Sequence, residues 1–174
     1  MPINNYIAAT RVLDDNERAS ILRRNVAVSD SRFVVNYFRM TSDHRLLFGG
    51  GESYGYRFPK NLDPIIRKPM EIVYPHLAGI EFDYTWGGTL ASTVSRMPHF
   101  RRLAGNILSA SGYSGQGVPT ATLAGKLIAE AISGQAGRFD LMAKVPTPMF
   151  PGGATLRHPL LVLGMLWFAM RDKF

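Results

Sequence analysis

The chain has no cysteine among its 174 residues. Disulfide staples, thiolate metal ligands and a cysteine nucleophile are therefore excluded. None is needed for folding, since a domain of this length removes roughly 70% of its extended-chain surface from water. Histidine is nearly as scarce: His44, His76, His99 and His158 stand too far apart for a local HxxxH pair, and no metal site is expected. Long apolar runs are missing as well. The longest, Leu160 to Met170, has 11 residues, against about 20 for a helix that spans a bilayer. Pro2 to Asn5 lack the charged-then-apolar order of a signal peptide. The expectation is a soluble, cytoplasmic protein with no transmembrane segment.

Acidic residues are the last shortage, at 13 against 20 Lys and Arg, for a net charge of +7. The imbalance sits in residues 84–174, with 9 basic and 3 acidic side chains, whereas residues 1–83 have 11 and 10. The bases are scattered and form no run longer than Arg23-Arg24 and Arg101-Arg102, which is unlike a polybasic tract. The latter pair reads as a solvated turn. No nucleic-acid partner is expected, although a basic face keeps a non-catalytic α+β binding module open as a second reading.

What is present is a globular composition, 46% hydrophobic, and a readable order of elements. A strand at residues 6–10 begins almost at the first residue, as if cut from a longer chain. Asp14 to Arg24 predicts one or two helical turns. Arg32 to Met40 and Arg45 to Phe48, around a polar turn, predict an antiparallel hairpin running into Gly49-Gly50-Gly51, which lets the backbone turn or approach something closely. Asp63-Pro64 predicts a helix start with Asp63 as N-cap, Pro69 a kink or an end, and Pro75 a stop. Strands follow at 80–86, 89–94 and 106–110. The clearest helix is Val118 to Ile132, with Leu123, Leu127, Ile128 and Ile132 on its apolar face and Gly134 past its end. A Pro/Gly-rich tail from Ala136 then leads into a surface helix.

The strongest site candidate is the strand at 106–110, the loop Gly112-Tyr113-Ser114-Gly115-Gln116-Gly117 and the helix after it. A glycine-rich turn from strand to helix aims unpaired N–H groups and the positive end of the helix dipole at one place. An anion or a developing negative charge would bind there. The same three glycines also serve as a plain tight connection, and spacing alone does not choose between the two. The order is GxxGxG, without the downstream acid or first βαβ unit of a dinucleotide fingerprint. Gly49 to Gly55 follow a hairpin strand and enter no helix. Tyr54, Tyr56 and Tyr113 suit a pocket wall or ordinary rim packing, and Trp86 suits the sheet core or a substrate wall. His44 and His99 read as exposed and non-catalytic, and no catalytic residue is assigned.

Six segments then occur in a telling order. They are Tyr37-Phe38-Arg39 with Asp43-His44-Arg45-Leu46-Leu47-Phe48-Gly49-Gly50, Pro75-His76-Leu77, Trp86-Gly87-Gly88, Met97-Pro98, the loop from Ser111 to Gly117, and Ala124-Gly125-Lys126-Leu127-Ile128-Ala129-Glu130. In this order they resemble the C-terminal half of the FAD-dependent D-amino-acid oxidase, glycine oxidase and sarcosine oxidase superfamily. The likeness is nearest to its gamma-glutamylputrescine oxidoreductase-like branch and covers residues 33–133. The resemblance implies an α+β fold: the antiparallel or mixed sheet of the substrate domain with flanking helices (1–105), the last strand and helix of the FAD-binding domain (106–133), and a C-terminal tail (134–174). It implies that Gly112, Gly115, Gln116, Gly117 and Val118 meet the flavin, and that Tyr54, Trp86, Leu90 and Tyr113 meet the substrate.

One departure shapes the expected chemistry. Members that oxidise amino acids hold the carboxylate with an Arg shortly after Trp-x-Gly, and some add another in the glycine loop. Here Leu90 occupies the first position and the loop has no Arg, so the bidentate clamp is absent. The resemblance therefore implies an amine oxidoreductase that takes a polyamine-like substrate to an imine with formation of peroxide. Its partners would be a small-molecule amine and an N-terminal FAD-binding unit that this chain lacks, with room for a homo-oligomer. FAD belongs to the intact enzyme, and this chain alone is expected to be inactive and free of it.

Overall fold

The computed structural model describes residues 1–22, 24–54 and 57–171. Arg23, Gly55 and Tyr56 lie outside the described residues, and so does the Lys173 end of the tail. The fold is α+β, and it divides into two compact units: Asn4–Thr89 together with the chain from Leu163 onward, and Met1–Ile3 together with Leu90–Val162.

The first unit holds a five-stranded sheet of order β2-β3-β4-β1-β5. Its strands are β1 (Pro2–Thr10), β2 (Ala27–Ser29), β3 (Tyr37–Met40), β4 (Leu46–Ser53) and β5 (Phe82–Ala91). The hairpin is β3–β4, and its turn closes as Thr41 Oγ1 accepts the Arg45 N–H at 2.9 Å. Residues 33–36, expected in the first arm, stay outside it, and the three-residue β2 adds an edge the sequence did not suggest. Tyr6, Ala8, Leu46 and Phe48 form the core with Ile66, Met70, Tyr74 and Leu77. Each large apolar side chain buried this way stabilises the fold by about 1.5–3 kcal/mol.

Helix α1 (Asp15–Ile21) starts on a complete capping box between Asp14 and Glu17, which satisfies two otherwise unpaired N–H groups. Helix α2 (Asp63–Val73) differs from expectation at both ends. Leu62 occupies the N-cap, and Asp63 lies inside the first turn, where its carboxylate takes two hydrogen bonds from Arg67. Pro69 neither kinks α2 to a stop nor ends it. Ile66 and Met70 are fully buried on either side of the proline, and packing of that face outweighs one lost backbone bond. Pro75 does end the run and opens a 3-10 turn, Pro75–Leu77.

β5 replaces the two strands expected at 80–86 and 89–94. Gly87 does not break it, because a side chain there would sit 2.6 Å from Tyr6 Cδ1 and 2.9 Å from the Asn5 carbonyl. The glycine permits a close approach of backbones. Trp86 is 45% exposed, so the sheet-core reading of this residue is corrected.

The second unit is built on the antiparallel pair β6 (His99–Ala104) and β7 (Ile107–Ser111) with α3 (Gly117–Ile132) and α4 (Gly137–Ala143). Arg101-Arg102 therefore lies within a strand and not in a turn. α3 buries Ala124 and Leu127 and half-buries Ile128, while Leu123 and Ile132 are exposed, which narrows the expected apolar face. Gly134 follows at φ +89°, and the Gln135 N–H reaches back to the Glu130 carbonyl at 2.8 Å, a left-handed helix stop. α4 arises inside the Pro/Gly-rich tail because Phe139 is fully buried there, edge-on to Phe100 with ring centroids 5.6 Å apart. The tail ends in α5 (Gly153–Arg171), which the chain shares between the two units.

Candidate functional site

The glycine loop joins β7 to α3, and its own hydrogen bonds fix its inner side. Gly112 adopts φ +70°, and a Cβ there would stand 2.6 Å from Thr93 Cγ2, so both conformation and space demand glycine. The Ser114 N–H donates to the Ala91 carbonyl at 3.0 Å, and Ser114 Oγ accepts the Thr93 N–H at 3.1 Å. The Gln116 N–H returns to the Tyr113 carbonyl at 2.8 Å.

The outer side carries the chemistry. Among the described residues no acceptor faces the N–H groups of Gly115, Gly117 or Val118, and Pro119 after them has no N–H to offer. Gln116 sits at the N-cap and its side chain caps nothing. A Cβ at Gly115 or Gly117 would meet no atom within 4 Å, and Val118 is 87% exposed. Three donors thus stand without acceptors, beside open space, at or just before the positive end of a 16-residue helix. Such donors stabilise negative charge with little reorganisation. An anion or a developing negative charge fits this loop.

The residues expected around a substrate divide between the units. Leu90 is half-buried and precedes Ala91, whose carbonyl anchors Ser114, so the structure brings Leu90 and the loop together. Tyr113 is half-buried against the second core, and its hydroxyl donates to the Ala110 carbonyl at 3.0 Å; it braces the loop. Tyr54 is half-buried just beyond β4 and Trp86 is exposed on β5, both in the first unit.

Sequence reasoning missed a polar set on that first sheet. The Tyr37 hydroxyl donates to Asn5 Oδ1 at 2.6 Å, and the Tyr37 ring fills the space over Gly49, where a Cβ would fall 2.1 Å from Cζ. The signal was Gly49 itself, since glycine inside a strand marks a close approach. Burial, and after it the Glu52 charge, push the Tyr37 phenol above its usual range, so the hydroxyl stays protonated. Among the described residues no group of three or more His, Asp or Glu could hold a metal ion, and no helix is long and apolar enough to cross a membrane.

A family model described as DAO, FAD dependent oxidoreductase, matches residues 1–131. The chain is 40% identical over 173 residues to the gamma-glutamylputrescine oxidoreductase of Escherichia coli (strain K12), covering 99% of this chain and 41% of that one. It is 42% identical over 174 residues to a probable oxidoreductase OrdL of Rhizobium meliloti (strain 1021), covering 100% and 40%. The chain therefore spans about two fifths of the length of these curated relatives. Among solved structures, L-proline dehydrogenase from P. horikoshii superposes with a TM-score of 0.59 at 21% identity, over 76% of this chain and 36% of that one. Glycine oxidase from Geobacillus kaustophilus gives 0.61 at 17%, over 80% and 37%. At such identities the likeness concerns the fold.

Proposed function

The chain belongs to the family of FAD-dependent oxidoreductases, and from that premise we propose that it is the C-terminal portion of an enzyme oxidising the C–N bond of a small amine. In this reading residues 1–105 contribute the substrate-domain share, 106–133 the last strand and helix of the FAD-binding domain, and 134–174 a C-terminal tail. The observation that carries it is the set of three N–H groups without acceptors at the head of α3. When bound, FAD supplies acceptance of two electrons as hydride and their transfer to dioxygen, which gives peroxide.

This chain's residues do the rest. Gly112 holds the turn, and the Gly115, Gly117 and Val118 N–H groups donate to the cofactor edge where charge accumulates on reduction. One preorganised donor of this type contributes about 2.7–4 kcal/mol to such stabilisation. The bare faces of Gly115 and Gly117 admit a flat ring, and Gln116 borders it. On the substrate side, apolar and aromatic surface comes in this reading from Leu90 and Tyr113 in the unit that holds the loop, with Trp86 and Tyr54 of the other unit as further candidates. With no Arg at the clamp positions, a carboxylate next to the reacting carbon would enter unpaired at a cost of several kcal/mol. The substrate is therefore an amine without an adjacent carboxylate, of the polyamine-derivative kind. The gamma-glutamylputrescine oxidoreductase relative supports that class.

The test assembles the chain with its N-terminal flavin-binding portion and follows the visible flavin spectrum without oxygen. Primary amines are expected to bleach it faster than small α-amino acids; the reverse order refutes the reading. The chain by itself is expected to retain no stoichiometric FAD.

A further inference from the structure

Ser114 is the residue at which the glycine loop turns from its inner to its outer side. It is half-buried while Gly115 after it is exposed, and its φ is +50°, in the left-handed region that residues with a side chain rarely adopt. Glycine takes that region freely, as Gly112 at +70° and Gly115 at +91° do. A serine stays there through what its own groups bond. Its N–H donates to the Ala91 carbonyl at 3.0 Å, its Oγ accepts the Thr93 N–H at 3.1 Å, and the hydroxyl proton goes to the Gly112 carbonyl at 3.2 Å. Thr93 is itself fixed, since its Oγ1 donates to the Met97 carbonyl at 2.8 Å. All of these residues lie in the Leu90–Val162 part of one unit.

The consequence is directional. The peptide plane before Ser114 carries the N–H that bonds inward to Ala91, and the plane after it carries the Gly115 N–H, which has no acceptor among the described residues. Peptide planes are rigid, so only φ and ψ of Ser114 set the angle between these two donors. The inward bonds of Ser114 thus fix the aim of the first outward donor before any ligand arrives. A donor fixed beforehand stabilises developing charge without reorganising. We propose that Ser114 is a positioning residue for the cofactor: through its bonds to Ala91 and Thr93 it holds the Gly115 N–H in its outward setting, and so sets how readily the bound flavin accepts electrons. This deepens the proposed function and rests on its reading of the loop as flavin-facing.

The test uses the flavin-loaded assembly of this chain with its N-terminal portion, and reads the two-electron midpoint potential of the flavin beside Tm. Ser114→Ala removes the acceptor for the Thr93 N–H and is expected to weaken the preference for reduced over oxidised flavin about tenfold, a fall of about 30 mV. Ser114→Gly keeps the conformation accessible without that bond and should behave like the alanine variant. Ser114→Asn should recover most of the fall, because asparagine tolerates the left-handed region and offers an amide oxygen to Thr93. A lower Tm with an unchanged potential would leave Ser114 a purely structural residue and overturn the proposal, as would a fall that asparagine does not recover. The unmodified assembly answers as well, even if a variant fails to hold flavin. Hydrogen exchange at the Thr93 amide should be slow with the flavin removed, oxidised or reduced, while the Gly115 amide slows on reduction. A Thr93 amide that is fast until flavin binds would mean that the cofactor orders the loop, and that result overturns the proposal too. If the unmodified assembly retains no flavin, the flavin-facing reading of the loop fails first and the proposal falls with it.

Discussion

Two glycines of the five-stranded sheet differ in what their missing side chains permit. Gly49 lies beneath Tyr37, and a Cβ there would come within 2.1–2.5 Å of three atoms of that side chain, whereas one at Gly88 would meet nothing within 4 Å. Gly49→Ala should therefore cost about 1–3 kcal/mol through forced displacement and break the Tyr37–Asn5 hydrogen bond. Gly88→Ala should stay within about 0.5 kcal/mol. Denaturant unfolding of both variants beside the parent chain measures the difference, and equal midpoints would refute it. Single residues were legible in this way only in part. The run Gly49-Gly50-Gly51 announced a close approach, but nothing local named Tyr37 as what approaches, because their pairing depends on a strand register fixed by the core at Phe48 and Leu46. The sheet-core reading of Trp86 failed for a related reason: its residue type predicts burial, while its position on β5 decides exposure.

At the scale of elements, misreadings occurred where a buried side chain outweighed local composition. Arg101-Arg102 suggested a turn, yet Phe100 is buried and the Arg102 guanidinium lies over the Phe139 ring at 5.5 Å, so the pair is held in β6. α4 was hidden by the surrounding prolines and glycines, although its buried Phe139 anchors it in the second core. α3 was legible in its extent and its glycine stop, although Leu123 and Ile132 of its expected apolar face are exposed. α2 allows a quantitative check. Arg67 donates to both Asp63 oxygens at 2.6 and 2.8 Å and to the Ile80 carbonyl at 2.7 Å, tying the helix start to the approach of β5. The Arg67 hydrogen bond holds the Asp63 carboxyl below its ordinary range. A lowered folded value means stability that is present above the unfolded value of about 3.9 and lost as pH falls through the folded one. Asp63→Asn should thus lower Tm at pH 7 by an amount worth under about 1 kcal/mol, since the pair is partly solvated. The two melting curves should converge once the pH has fallen through the lowered Asp63 value. A gap that persists in acid would assign the effect to packing instead.

The whole chain is α+β and corresponds to about two fifths of the length of its curated relatives, and its surface matches a part better than a complete enzyme. β5 is exposed along nearly its whole length. α3 leaves Val118 and Ile132 at 87% and 76% exposure at its two ends, although its sequence is apolar enough for a buried helix. Apolar surface of this kind on a folded chain marks a place where something else packs. If that something is the N-terminal flavin-binding portion with its cofactor, one set of amides should report it. In the isolated chain the Gly115, Gly117 and Val118 N–H groups have no acceptor, so their exchange with deuterated solvent should run near the unprotected rate. In the flavin-loaded assembly the same three amides should slow by roughly tenfold or more per 1.4 kcal/mol of hydrogen bonding gained. The Ser114 and Gln116 amides, already bonded to the Ala91 and Tyr113 carbonyls, should change far less. Slowing confined to the apolar face of α3, with the three loop amides still fast, would mean that the helix docks but the loop does not hold the cofactor.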